Sequence, residues 1–89
     1  MALISKDSFE HIEKQRISMH DKVAATYTIF VVNEKRYLQI DTYGRLTKDK
    51  NKVSQSIQID EDVAKELYDI LRETFNFWKF FMINKINQW

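Results

Sequence analysis

Catalysis at neutral pH needs side chains that titrate, bind a metal or attack, and it needs them to converge. Asp41 is the one acidic residue in the middle of the strand-like run Arg36-Tyr-Leu-Gln-Ile-Asp-Thr-Tyr-Gly-Arg45, and Arg45 and His20 are the charged or titrating residues that can be imagined beside it. General acid–base work requires a second titrating group within reach, and a metal-assisted nuclease requires two or three converging carboxylates. The spacing offers neither, so Asp41 reads as a paired structural carboxylate. His11 and His20 lie nine positions apart with no Cys in the chain and no Glu-x-x-His pattern, which argues against a metal site. The single glycine, Gly44, rules out a Gly-rich phosphate loop. The chain is therefore expected to be non-enzymatic, with no catalytic residue, metal or cofactor.

What the residues offer instead is a surface for contact. Around Arg36 to Arg45 and in its echo Lys52-Val-Ser-Gln-Ser-Ile-Gln-Ile59, the positions opposite the apolar ones hold Gln, Ser, Asp and Tyr, where Lys, Glu and Thr usually solvate a sheet. Phe30, Tyr37 and Tyr43 can stack unpaired bases, Gln39, Ser54, Ser56 and Gln58 can bond to base edges or sugars, and Arg45, Lys48, Lys50 and Lys52 can hold phosphates. Stacking contributes about 1–3 kcal/mol per base, so two or three rings suffice without a strongly basic protein. Against this stands the plainer reading that the first twenty residues cover this face as a second small core and that the Lys48 to Lys52 run is a solvated loop.

A second contact surface lies at the C-terminus. Phe77, Trp78, Phe81, Met82, Ile86 and Trp89 belong to a segment with too many apolar groups, spread too far round a helix, for one core-facing stripe. Trp78, Met82, Ile86 and Trp89 fall on one helical face, and Trp, Phe and Met are enriched at the centres of protein interfaces. Self-association as a homodimer is the simplest outcome. A membrane-surface helix is disfavoured, because only Lys79 and Lys85 supply positive charge there.

The elements that must position these groups follow from periodicity. Ala25 to Val32 alternates and is rich in β-branched and aromatic residues, which predicts a strand; Asn33 to Arg36 is the turn and Arg36 to Tyr43 the return strand. A loop of even length sets Val32 opposite Tyr37, Phe30 opposite Gln39, Thr28 opposite Asp41 and Thr26 opposite Tyr43. The other face then collects Tyr27, Ile29, Val31, Leu38, Ile40 and Thr42, whereas a three-residue loop would mix the faces. Gly44 ends the strand at a positive φ. Val53 to Ile59 is a third strand in which Gln55 sits oddly among core positions, at the sheet margin, beside a bulge or with a buried, bonded amide. Asp60 is the helix N-cap, and Val63, Leu67, Ile70, Leu71, Thr74 and Phe75 form a stripe expected to cover the apolar sheet face. Near the N-terminus, Asp7-Ser-Phe-Glu10 has the form of a capping box, so one or two turns of helix are expected there.

The predicted fold is α+β, a small antiparallel sheet of three or four strands packed against one long C-terminal helix. At 89 residues it is expected to be a single domain, with an N-terminal segment over 1–22, the sheet and helix over 23–75 and an aromatic extension over 76–89. Hydrophobic residues at 44% and charged ones at 30% give a globular balance, and a net charge of +1 argues against a phosphate-coating protein. With no Cys, no apolar leader and no run of eighteen apolar residues, the chain reads as a soluble cytoplasmic protein without a membrane role.

Tyr37-Leu-Gln-Ile-Asp-Thr-Tyr-Gly44, then Lys52-Val-Ser-Gln-Ser-Ile-Gln-Ile-Asp60 and the amphipathic helix to Phe75, resemble a group of short bacterial and phage proteins labelled methionyl-tRNA formyltransferase-like. The likeness runs over about residues 23–75 and implies a shared fold. Formyl transfer itself needs a large folate-binding domain that 89 residues do not supply. In strand pattern alone, the sheet feeding into one helix is similar to the Whirly-related, coactivator-type single-stranded DNA binders. That similarity implies a dimerising helix and nucleic acid held by strands and loops, with no individual residue carried over.

Two functions follow as expectations. The first is a single-stranded nucleic-acid-binding module using the polar-aromatic strand face and the 45–52 loop, which should fail on Arg45→Glu or Lys50→Glu. The second is a protein-binding adaptor or phage-type inhibitor acting through an aromatic interface, which should fail on Trp78→Ala or Trp89→Ala.

Overall fold

The alternating β-branched and aromatic residues that predict strands do form them. A computed structural model, which describes residues 1–47 and 52–76, places β1 at Ala2–Leu3, β2 at Ala25–Val32, β3 at Lys35–Thr42, β4 at Gln55–Ile59 and α1 at Glu61–Phe75. The fold is α+β, as expected: a four-stranded sheet in the order β1-β4-β3-β2, followed by one helix. β2 and β3 pair antiparallel, as do β3 and β4. β1 departs from the wholly antiparallel expectation by running parallel to β4, with Ala2 beside Ile57 and Leu3 beside Gln58. The sheet is therefore mixed.

The β2–β3 connection is two residues long, and Asn33 and Glu34 both take the left-handed conformation, with φ of 51° and 67°. That is the signature of a type I′ turn, whose twist matches the flanking strands. It sets Val32 opposite Lys35, Phe30 opposite Tyr37, Thr28 opposite Gln39 and Thr26 opposite Asp41. The partners expected from a four-residue loop are corrected by two positions. Both faces survive, because a shift of two returns every side chain to the same side. Asn tolerates this conformation, but Glu34 carries a Cβ penalty of about 1–2 kcal/mol that glycine avoids at an entropic cost near half as large. Glu34→Gly should therefore raise stability by about 0.5–1 kcal/mol and the melting temperature by several degrees, as thermal unfolding would measure.

At the other end of the hairpin Gly44 has φ +70°, the positive value expected for it. Ala24 bonds on both sides of it: its carbonyl accepts from Tyr43 N–H and its own N–H donates to Arg45 O. Gly44 thus stands as an extra residue where β3 leaves the ladder. Gln55 resolves as a margin residue, exposed at the start of β4 opposite Thr42.

Asp60 is the cap the sequence predicts, its carboxylate accepting from Val63 N–H at 2.9 Å, and Asn76 closes the helix in the left-handed conformation. Val63 is wholly buried and Ile59 nearly so. Beyond that first turn the helix covers less than its stripe predicts. Leu67 is half-buried, while Ile70, Leu71 and Phe75 are exposed, as are Tyr27, Ile29, Val31, Ile40 and Ile57 on the sheet. The cause is the connection. Asp60 alone links β4 to α1, and a strand-to-helix link of a single residue gives the chain little length in which to fold back over the sheet. A cleft of about 490 Å³, lined in part by Ile29, Leu38, Ile59 and Ala64, lies between sheet and helix start.

The N-terminal segment also differs from expectation. In place of one or two turns of helix from Asp7 it forms a single 3-10 turn at Lys6–Ser8, and residues 10–23 are all exposed. A helix this short needs packing to persist, and Lys6, Asp7 and Ser8 are all exposed, with only Ile4 and Phe9 half-buried on either side.

Candidate functional site

The two faces of the sheet are the candidate sites, and each is set by strand parity. On the polar-aromatic face β3 presents Tyr37, Gln39 and Asp41, β2 presents Thr26, Thr28 and Phe30, and β4 presents Ser56 and Gln58. Register brings Gln39 beside Gln58 and Asp41 beside Ser56. A ladder of hydrogen bonds follows. Gln58 Nε2 donates to Gln39 Oε1 at 2.8 Å, Gln39 Nε2 donates to Asp41 Oδ1 at 2.9 Å, and the Ser56 hydroxyl donates to the same carboxylate oxygen. All four side chains are half-buried. Asp41 is thus the paired structural carboxylate that the sequence suggests.

The aromatic residues of this face are engaged as well. Phe30 and Tyr37, directly opposite across β2 and β3, stack with centroids 5.4 Å apart and 15° between planes. Tyr43 is only 7% exposed, and its hydroxyl lies 2.8 Å from Thr26 Oγ1. Its ring is a packing group with little surface to offer a base. Ser54 is exposed next to Gly44, and Arg45 and Lys52 are exposed. At its β1 side this face forms a shallow groove shared by Met1, Leu3, Gln39, Ser56 and Gln58, and residues 10–20 are exposed. Lys48 and Lys50 lie outside the described residues, as do Phe77, Trp78, Phe81, Met82, Ile86 and Trp89.

The opposite face is where sequence reasoning placed a covered core. Tyr27 is 73% exposed, Ile29 65% and Val31 61%, and Ile40 and Ile57 continue the same surface on β3 and β4. Together these side chains leave several hundred Å² of apolar surface in one patch, roughly the size that marks an interaction surface on a soluble protein. The signal that could have revealed it is Asp60, a capping residue set immediately after the last core position of β4.

No group of three or more His, Cys, Asp or Glu side chains that could hold a metal occurs among the described residues, and no described helix is long and apolar enough to cross a membrane. His11 pairs with Glu13 at 2.8 Å on an exposed part of the N-terminal segment. No protein-family model, curated protein or solved structure matches the chain.

Proposed function

We propose that the protein is a non-enzymatic, protein-binding module whose contact surface is the apolar face of the sheet. The observation that supports this reading is the exposure of Tyr27, Ile29, Val31, Ile40 and Ile57 on one face of three adjacent strands. The occupant it fits is a partner polypeptide presenting an apolar helix face or strand, since these five side chains are uncharged and Arg36, opposite Val31, is the one charged side chain that β2, β3 and β4 place on the same face. The opposite face suits this role less well, because its amides and carboxylate already satisfy one another.

The test is capture from a cell extract by immobilised protein in three forms: wild type, Ile57→Glu and the loop control Thr47→Glu. A specific protein retained by wild type and by the control, lost with Ile57→Glu and then shown to bind directly as a purified component, is the expected result. Equal retention by all three would overturn the reading.

One observation favours a second reading, single-stranded nucleic-acid binding: Arg45 and Lys52 are exposed at the two ends of the connection between β3 and β4. Fluorescence anisotropy with short labelled single-stranded DNA and RNA at two salt concentrations decides it. Salt-dependent binding that is lost on Arg45→Glu would replace the protein-binding proposal.

A further inference from the structure

The sheet has two edges, and they are treated differently. On one side β1 contributes only Ala2–Leu3, and a very short edge strand is a common way to blunt an edge. On the other side β2 runs for eight residues, Ala-Thr-Tyr-Thr-Ile-Phe-Val-Val, with no charge, no proline and no glycine. Neither of the usual chemical guards of an edge, lysine and proline, is present on it.

The backbone groups on that edge can be assigned. Ala24 O accepts Tyr43 N–H, and the ladder runs from there to the Val32–Lys35 pair beside the turn. In an antiparallel pair, residues alternate between facing the partner strand and facing away. The even-numbered residues of β2 therefore direct their N–H and C=O groups to β3, and Ala25, Tyr27, Ile29 and Val31 direct theirs outward.

We infer that β2 pairs antiparallel with β2 of a second copy of this chain, joining two four-stranded sheets into one. Parity fixes the symmetry. Residues directly opposite in an antiparallel pair share a face, so apolar meets apolar only if the two-fold axis passes beside a residue and not between two. With the axis at Ile29, Ile29 faces its own counterpart and Tyr27 of one copy faces Val31 of the other. On the opposite face Thr28 meets Phe30 and Thr26 meets Val32. Each pairing is aromatic with β-branched or β-branched with β-branched, the combinations that stabilise cross-strand contacts. The outward groups of Tyr27, Ile29 and Val31 then all find partners. The inference concerns the edge and goes beyond the binding proposal for the face; it stands whether or not that face binds another protein.

Two measurements test it on the full chain. Sedimentation velocity over a wide concentration range should show a dimer for wild type and monomers for Ile29→Lys and Ile29→Glu alone, with the dimer regained when the two variants are mixed. The mixture recovers only if position 29 sits close to its own counterpart across the axis. Wild-type hydrogen exchange, which needs no variant, should show the amides of Tyr27, Ile29 and Val31 slowing as concentration rises, while those of Thr28 and Phe30 stay protected throughout. A wild-type monomer at all concentrations would overturn the inference. So would a dimer whose Tyr27, Ile29 and Val31 amides exchange as fast as in the monomer, because two copies joined face to face leave those amides without hydrogen bonds.

Discussion

Val63→Asp should cost roughly 3–5 kcal/mol and separate the helix from the sheet. Val63 has no exposed surface and sits in the turn that the Asp60 carboxylate caps, so a charge there has no solvent to receive it and lies near another carboxylate. The described core is small, with Tyr43, Ile59 and Val63 as its buried hydrophobic members, and a domain this size has on the order of 5–10 kcal/mol of stability in all. Loss of the cooperative unfolding transition, followed by circular dichroism in urea, is the expected reading. Val63→Ala, which removes two methyl groups without adding charge, should cost about 2 kcal/mol and keep the transition. If Val63→Asp melted like wild type, the burial of Val63 would not be what fixes the helix.

Asp41→Ala should cost about 2 kcal/mol, and Asp41→Asn much less. The carboxylate oxygen takes bonds from Gln39 and Ser56 together, and truncation leaves both half-buried donors to find water. Asparagine keeps an oxygen in the same place. Because the donors share one acceptor, the loss on combining Asp41→Ala with Ser56→Ala should be less than the sum of the two separate losses. Urea midpoints for the four proteins check this. A variant at Asp41 that kept its stability but lost binding would instead make the carboxylate a ligand contact.

These two residues show how far the sequence could be read. The strands and helix were legible because Ala25 to Val32, Arg36 to Tyr43 and Glu61 to Phe75 each repeat at the period of their element over several turns or pleats. β1 was not, since two residues have no period and their pairing with β4 is decided by distant backbone groups. At the turn the sequence specifies an even loop of two or four residues but not which, and the partners it suggests lie two positions off, because Asn33-Glu34 lacks the glycine that normally announces a type I′ turn. On the polar face, period two grouped Gln39, Asp41, Ser56 and Gln58 correctly. That they satisfy one another could not be read, because it depends on how β3 and β4 align. The apolar stripe on α1 was also genuine, but periodicity says which side of a helix is apolar and not what lies against it.

The parallel pairing of β1 with β4 has a consequence for the order in which the molecule assembles. β2 and β3 are joined by a two-residue turn and can close within microseconds, whereas Ala2 must wait for Ile57, beyond both of those strands in the sequence. During synthesis β1 leaves the ribosome before the other strands and is the last to be seated. Until it arrives, the outer edge of β4 is as unguarded as that of β2, so a nascent chain carries one more edge open to misassembly than a finished one.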